Sequence, residues 1–377
     1  MWTGNPHAEF SFPVHIFRHL RHWDLPKVVP PTPGVSPSQN QPGLLRQWLI
    51  RLKNSFPFSL FFGLGGPWYV WQAWRAFHQL PENEKPDLVF TSFYPLSDLL
   101  AGYWIKRTHP RITWVADFRD IPVDKTKNQV LWPSLTDWFI SRLLRKADQV
   151  TAVSSGVANR LPVEAEKIYI LHNGYSMDQL ADLSDPVSEK FTITYTGSVH
   201  LGLQRIDVLL ERIQALINHR QIDAHDINLQ YAGPQSDIWQ TWMHDYPDIP
   251  WVDLGYLGDR AAINLQQSSQ INLLLSWATR QSSGILTSKL YQYLAAQRPI
   301  LALVEGHDDD ELAYFVGVVN GGLCSYSTDP GRSDHLDQWL LDQYRQWKAL
   351  GKVPHHTNAH ELQKYSWNQL VNTWLNP

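Results

Sequence analysis

From residue 87 onward, short apolar runs that end in polar or glycine residues alternate with amphipathic stretches. The runs DLVFTS (87–92), ITWVADF (112–118), QVTAVS (149–154) and IYILHNG (168–174) read as buried strands. Apolar positions at helical spacing over 95–109 and 133–147 predict helices between them. Such runs, separated by amphipathic helices, predict parallel sheets covered on both faces. A polar, acidic break follows at 176–189 (SMDQLADLSDPVSE). The series then restarts with strands FTITYTGS (191–198), INLQYAG (227–233), IPWVDLGYL (249–257), INLLLSW (271–277) and PILALVE (299–305). Helices are expected over 203–220, 236–246, 260–269 and 287–297, and two closing amphipathic helices over 335–350 and 356–376.

The pattern predicts an α/β protein of two Rossmann-like, doubly wound domains. Residues 1–177 form the first, 178–189 a linker and 190–355 the second, with the helix of 356–377 packing back towards the N-terminal domain. A length of 377 residues suits two domains. The first 86 residues depart from the pattern. Six prolines fall within 25–43, which suggests loop or ordered coil. No opening strand with a Gly-rich turn is legible, so the N-terminal domain is expected to lack both.

Composition narrows the function. Lys plus Arg number 32 against 36 Asp plus Glu, a net charge of −4, which argues against a nucleic-acid binder by bulk charge. The charge is uneven: residues 1–80 hold seven basic and two acidic residues. One cysteine, Cys324, excludes an intramolecular disulfide or a multi-cysteine metal site within this chain and fits a reducing compartment. No apolar run reaches the roughly 18 residues of a spanning helix, and the N-terminus has no basic-then-apolar signal layout. The expected location is cytoplasmic, with the inner face of the membrane as a peripheral option. In LLRQWLIRLK (44–53), Arg46, Arg51 and Lys53 surround leucines and Trp48, and FPFSLFF follows. Residues 44–62 therefore read either as a contact with an anionic membrane surface or as a core-facing helix with a basic edge. The 18 tryptophans divide ten before residue 190 and eight after, so they mark no single sugar site.

The sharpest candidate chemistry is SSGILTSKLYQYLAAQRPILAL (282–303). Ser282, Ser283 and Gly284 follow a strand end, and Lys289 falls in the first turn of a helix. Free N–H groups, the helix dipole and an ammonium suit a phosphate there. The alternative is an ordinary helix capped by Thr287 or Ser288 with Lys289 in solvent. DFRD (117–120) lies just past a strand end. Asp117 or Asp120 reads there as orienting an acceptor hydroxyl with Arg119 on phosphate, or as an Asp–Arg pair closing a loop. The pairs His15/His19 and His356/His360 lack a suitable carboxylate, so no metal site is expected. The run Asp308 to Glu311 reads as a charged helix N-terminus.

The segment Gly284 to Leu294, followed by Arg298-Pro299-Ile300, resembles the donor-nucleotide helix of family 4 glycosyltransferases of the GT-B fold. DFRD, HNGY (172–175), YTGS (195–198), YAGP (231–234) and LGYL (254–257) resemble further family motifs in the family's order, over roughly residues 85–375. The resemblance implies a hexosyltransferase that is retaining and metal-independent. It implies no cofactor; a nucleotide-diphosphate sugar is the donor and a glycan or lipid-linked molecule the acceptor. Gly197 and Ser198 are expected to admit the donor phosphates, with Arg205 as a basic residue after the loop. Gly284, Ile285, Leu286, Thr287 and Ser288 are expected to supply N–H groups and Lys289 charge. Gln292 stands where most members have a ribose-binding Glu, and Gly284 where many have a second Glu near the donor sugar. Asp117, Arg119, Asp120 and Lys289 are the expected catalytic set. Loss of both glutamates keeps open a catalytically degenerate GT-B binding or scaffold partner. A nucleotide-sugar epimerase or hydrolase on the same fold is a third possibility.

Overall fold

The computed structural model describes residues 44–62, 66–123, 130–176, 188–279, 283–284 and 286–375. Contacts divide them into two α/β units, the first within 44–151 and 160–169, the second comprising 152–159 and 170–375. The expected boundary at 177 thus sits a few residues beyond the contact boundary. The linker and the opening strand expected to be missing fall mainly on 177–187 and 1–43, outside the described residues.

In the first unit, α1 (Leu44–Asn54), α2 (Phe58–Phe62) and α3 (Gly66–His78) precede β1 (Leu88–Phe93), α4 (Leu96–Thr108), β2 (Thr113–Phe118), α5 (Pro133–Leu144), β3 (Gln149–Ala152) and β4 (Ile168–Ile170). The sheet runs β1-β2-β3-β4, with β1 parallel to β2 and Ser92 opposite Asp117. Residues 114–118 are buried without alternation, as a strand covered on both faces requires. The Trp114 indole N–H donates to Thr91 Oγ1 at 2.9 Å. Its ring lies so close to α4 that a Cβ on Gly102 would come within 2.2 Å of Nε1. The bare backbone at 102 is what lets this large ring sit under the helix.

The second unit opens with α6 (Ser155–Ala158) and continues with β5 (Phe191–Thr196), α7 (Asp207–Asn218), β6 (Ile227–Ala232), α8 (Ser236–Met243), β7 (Trp251–Asp253) and α9 (Asp259–Ser268). Then come β8 (Ile271–Ala278), α10 (Ser288–Ala296), β9 (Ile300–Gly306), α11 (Asp310–Ala313), β10 (Leu323–Tyr326), α12 (Arg332–Leu350), α13 (Ala359–Gln363) and α14 (Trp367–Leu375). A π-helical turn over Tyr314–Val319 extends α11. All pairings in the sheet β10-β9-β8-β5-β6-β7 are parallel. Side chains of β9 alternate between two cores. Leu301 and Leu303 join α7 and α12 on one face, while Ile300, Ala302 and Val304 join α10 and the π-turn on the other.

The helix expected over 356–376 is two helices. Between them Tyr175 pairs with Ser366: Tyr175 N–H donates to Tyr365 O at 3.2 Å, and Trp367 N–H donates to Tyr175 O at 3.0 Å. Backbone groups that would continue the helix are thus spent on the HNGY turn. Gly174 has no room for a side chain, since a Cβ would lie 2.8 Å from Tyr365 O. Leu362 and Tyr365 pack with the core around Tyr291 and Phe315.

Candidate active site

Strand order locates the site. From β5 the chain moves outward through β6 to β7, then returns to β8 beside β5 and moves the other way. The carboxyl ends of β5 and β8 flank this reversal, where neighbouring loops diverge and leave a crevice for ligands. β5 ends into Gly197 and Ser198; β8 leads to α10. The first sheet runs in sequence order among the described residues and shows no such reversal there.

Along α10, Leu290, Tyr291, Tyr293, Leu294, Ala295 and Ala296 are buried, and only Ser288, Lys289 and Gln292 keep any exposure. Thr287 holds the N-cap position in an extended conformation, but its side chain makes no capping hydrogen bond. The ordinary-cap alternative therefore lacks its bond. Lys289 Nζ lies 3.9 Å from the centroid of the Tyr195 ring. Among the described residues no carboxylate pairs with it. Gly197, at φ +109°, makes room for this amine, because a Cβ there would meet Lys289 Cε and Nζ at 3.1 Å. Burial pushes the Lys289 ammonium down to about 7, since removing water penalises the charged form. The ring beneath is fixed from behind by its Tyr195 hydroxyl, which donates to Ser198 O at 2.6 Å.

Not every expected donor is open. Gly284 N–H is spent on Asp309 Oδ2 at 2.7 Å, and Leu286 N–H on Gly284 O at 3.1 Å. Gly197 N–H goes to Ala232 O at 2.7 Å. Ile285 lies outside the described residues. The first-turn donors near Lys289 therefore reduce to Thr287 and Ser288. Arg205 is largely exposed, and its Nε donates to Asp207 Oδ2 at 2.5 Å, so that carboxylate already holds it.

Two acidic residues emerge that sequence reasoning placed only in a charged helix start. Asp309 is buried, caps α11 by accepting from Leu312 N–H at 3.0 Å, and ties down Gly284. Glu311 accepts from Ser155 N–H at 3.1 Å, at the start of α6, and desolvation raises its carboxyl above the usual range. A Cβ on Gly284 would lie 2.7 Å from Glu311 Oε2. Glu311 Oε2, delivered from α11, therefore stands where a side chain at 284 would begin. Ser154 Oγ donates to Gly284 O at 2.6 Å, and His172 Nδ1 lies 3.9 Å from Glu311 Oε1. Only tertiary contact marks Glu311; the signal in the chain was an acidic run beside a strand end.

In the first unit, DFRD takes the Asp–Arg form. Asp117 is buried and accepts from Ser92 Oγ at 2.8 Å, Thr151 Oγ1 at 2.6 Å and Arg119 Nε at 2.8 Å. Three neighbouring strands contribute to this knot, which leaves Asp117 little capacity to accept another proton donor and directs it to hold Arg119. Asp120 is exposed and closes a turn by accepting from Ile121 N–H at 2.8 Å.

The architecture recurs in solved structures. The apo lipopolysaccharide outer core galactosyltransferase WaaB matches with TM-score 0.51 and 14% identity, over 82% of this chain and 79% of that one. The α,α-trehalose 6-phosphate synthase of Burkholderia multivorans matches with TM-score 0.56 and 12% identity, over 88% and 82%. The E. coli trehalose-6-phosphate protein bound with UDP-2-fluoro glucose matches with TM-score 0.54 and 10% identity, over 81% and 75%. No curated protein matches the chain in sequence. The two α/β units have the Rossmann-like GT-B architecture. Residues 14–179 match the model of Glycosyltransferase Family 4.

Two substitutions test these contacts. Asp117→Ala removes a buried carboxylate that satisfies three donors and should cost about 3 kcal/mol in denaturant unfolding; a loss below 0.5 kcal/mol, roughly that of a surface change, would contradict the knot. Gly284→Glu should destabilise the second unit by about 2 kcal/mol or more, because its Cβ meets Glu311 and φ is +70°. Adding Glu311→Ala should recover part of that loss in the same melt, whereas independent, additive effects would speak against the contact.

Proposed function

We propose that this protein transfers a hexose from a nucleoside diphosphate sugar to a glycan or lipid-linked acceptor, with retention and without a metal. The observation that carries the reading is Lys289, a desolvated amine at a helix start beside the glycine loop of the sheet's reversal point, with no carboxylate partner among the described residues. Desolvation of a lysine is unfavourable unless an anion arrives to match it. A diphosphate supplies that anion, and the dipole of α10 adds to its binding.

In this reading the same groups perform the chemistry. Charge grows on the departing diphosphate as the bond to the sugar breaks, and Lys289 with the Thr287 and Ser288 N–H groups stabilises it in place. No side chain is assigned as covalent nucleophile; the leaving phosphate takes the acceptor proton. Gln292, one turn along the open stripe of α10, offers both donor and acceptor to the ribose. Gly197 lets the donor approach the backbone. Asp117 positions Arg119 in the first unit, and Arg119 serves the acceptor side. Residues 44–62 fit a peripheral membrane contact, since Leu45, Trp48 and Leu49 are exposed beside basic residues. The WaaB structure is described as a galactosyltransferase, and the E. coli structure holds UDP-2-fluoro glucose; both accord with a UDP-sugar donor here.

The second reading, a donor-binding protein without turnover, is favoured by one observation: the glycine at 284 and the internal use of its N–H. Calorimetry with UDP- and GDP-sugars, followed by product analysis with and without acceptor, separates these readings. Transfer supports the enzyme, binding alone the scaffold, donor consumption without transfer a hydrolase or epimerase, and no binding of either sugar nucleotide overturns the proposal.

Lys289→Ala should weaken UDP-sugar binding roughly 100-fold. The pH dependence has a definite sign. The free amine is protonated below about 7, so affinity should be highest there and fall up to tenfold per pH unit above it. Calorimetry at about pH 8 in buffers of different ionisation enthalpy should show uptake of up to one proton. Without ligand the sign reverses. The unfolded lysine holds its proton to about 10.5 and the folded one only to about 7, so this group's contribution to stability grows as pH rises through that window and is lost as pH falls through it.

A further inference from the structure

The first unit contains a cavity of about 450 Å³ lined by Leu60 of α2, Val70, Trp71 and Trp74 of α3, and Leu100 and Trp104 of α4. Its wall offers almost no hydrogen bonding, and the Trp74 indole N–H is directed to Thr108 Oγ1 at 3.3 Å. An apolar recess partly open to solvent binds water weakly and gains dispersion contacts when something apolar fills it. The size lies in the range of small-molecule sites, roughly 300–1,000 Å³.

The surroundings say what fills it. Arg75 lies over the Trp71 ring at 5.1 Å and Arg107 over the Trp104 ring at 5.3 Å, and both guanidinium groups are exposed. Two cations thus rest on two walls of an apolar cavity. Residues 44–80 contain Arg46, Arg51, Lys53 and Arg75 and no Asp or Glu. Asp98, a carboxylate of α4, is engaged by the Tyr69 hydroxyl, whose ionisation burial and this carboxylate suppress. Among the described residues, exposed Leu45, Trp48, Phe61 and Trp68 extend the apolar surface along α1 to α3. A glycan or nucleotide finds no polar partners in such a cavity, and a flat protein surface would leave it empty. An amphiphile with a hydrocarbon tail and an anionic head matches both features.

We propose that this cavity takes one hydrocarbon chain of a phosphate-headed bilayer lipid, with Arg75 and Arg107 meeting the head group. The tryptophans then sit at the depth where amphipathic rings are favoured. The site rests on the membrane-contact part of the proposed function and is independent of sugar transfer. Among the described residues no helix is long and apolar enough to cross a membrane, so contact of this kind is with one leaflet.

The test uses the full chain with vesicles of phosphatidylcholine alone, and of phosphatidylcholine and phosphatidylglycerol in equal parts. Sedimentation reads binding, and tryptophan quenching by phosphatidylglycerol brominated along its acyl chains reads chain entry. The protein should sediment with the mixed vesicles and be quenched. Arg75→Glu with Arg107→Glu should weaken binding about tenfold or more. Leu100→Glu, which sets a carboxylate in the cavity wall, should remove most of the quenching while the far-ultraviolet circular dichroism spectrum and the thermal melt of the full chain stay unchanged as a check on folding. Trp104→Ser, at a more exposed position, is the second variant and should weaken sedimentation by several-fold. Vesicle binding with quenching indifferent to Leu100→Glu would overturn chain entry while leaving membrane contact standing. Failure to bind either vesicle would overturn both. Equal binding to phosphatidylcholine alone would overturn the head-group assignment, and a dimer dissolved by Leu100→Glu would make a second copy the occupant.

Discussion

A desolvated amine with no carboxylate partner among the described residues organises the candidate site of the second unit. Lys289 is carried by a helix whose other side chains are almost all buried, so its backbone has little freedom to move the amine elsewhere. Tyr195 supplies a ring face beneath it and Gly197 the space beside it. The ring offers some electrostatic relief through its quadrupole, but burial still lowers the amine to about 7. The strand reversal places the amine at the carboxyl end of the sheet, where neighbouring loops diverge.

Support for that helix comes from the opposite side of its approach loop. Asp309 holds Gly284 by its N–H, Ser154 holds it by its carbonyl, and Glu311 stands where a side chain at 284 would begin. The loop is therefore braced by carboxylates from α11 rather than left as a flexible cradle, and most of its own N–H groups turn inward. In the proposed reading, phosphate binding falls to the lysine and to the Thr287 and Ser288 N–H groups. In the first unit Asp117 plays the comparable part: buried and saturated, it orders Arg119 rather than facing substrate itself.

Much of the fold was legible in the chain. Continuous apolar runs between amphipathic stretches located most strands of both sheets, because a parallel strand covered on both faces leaves a signature independent of its neighbours. Where the reading departed from the structure, a distant partner was responsible. The closing helix divides because Tyr175 competes for the backbone groups at 365–367, and no local pattern announces such a pairing. The site was legible in part. Lys289 could be located from a strand end and a helix start, and Gly197 and Gln292 through the family resemblance, whereas Glu311 and Asp309 were visible only as a run of charge.

The sequence by itself determined the alternation of elements, the two-domain scale, the cationic character of residues 44–80 and the helix that carries Lys289. These follow from local periodicity and composition, which act within one element. Tertiary structure alone decided which donors remain open, which carboxylates brace the loop at 284, that Lys289 is desolvated, and that three tryptophans enclose a cavity beside two arginines. Each of these depends on atoms from elements tens of residues apart meeting at a few ångströms. Desolvation and hydrogen-bond saturation are properties of that meeting, not of any residue alone.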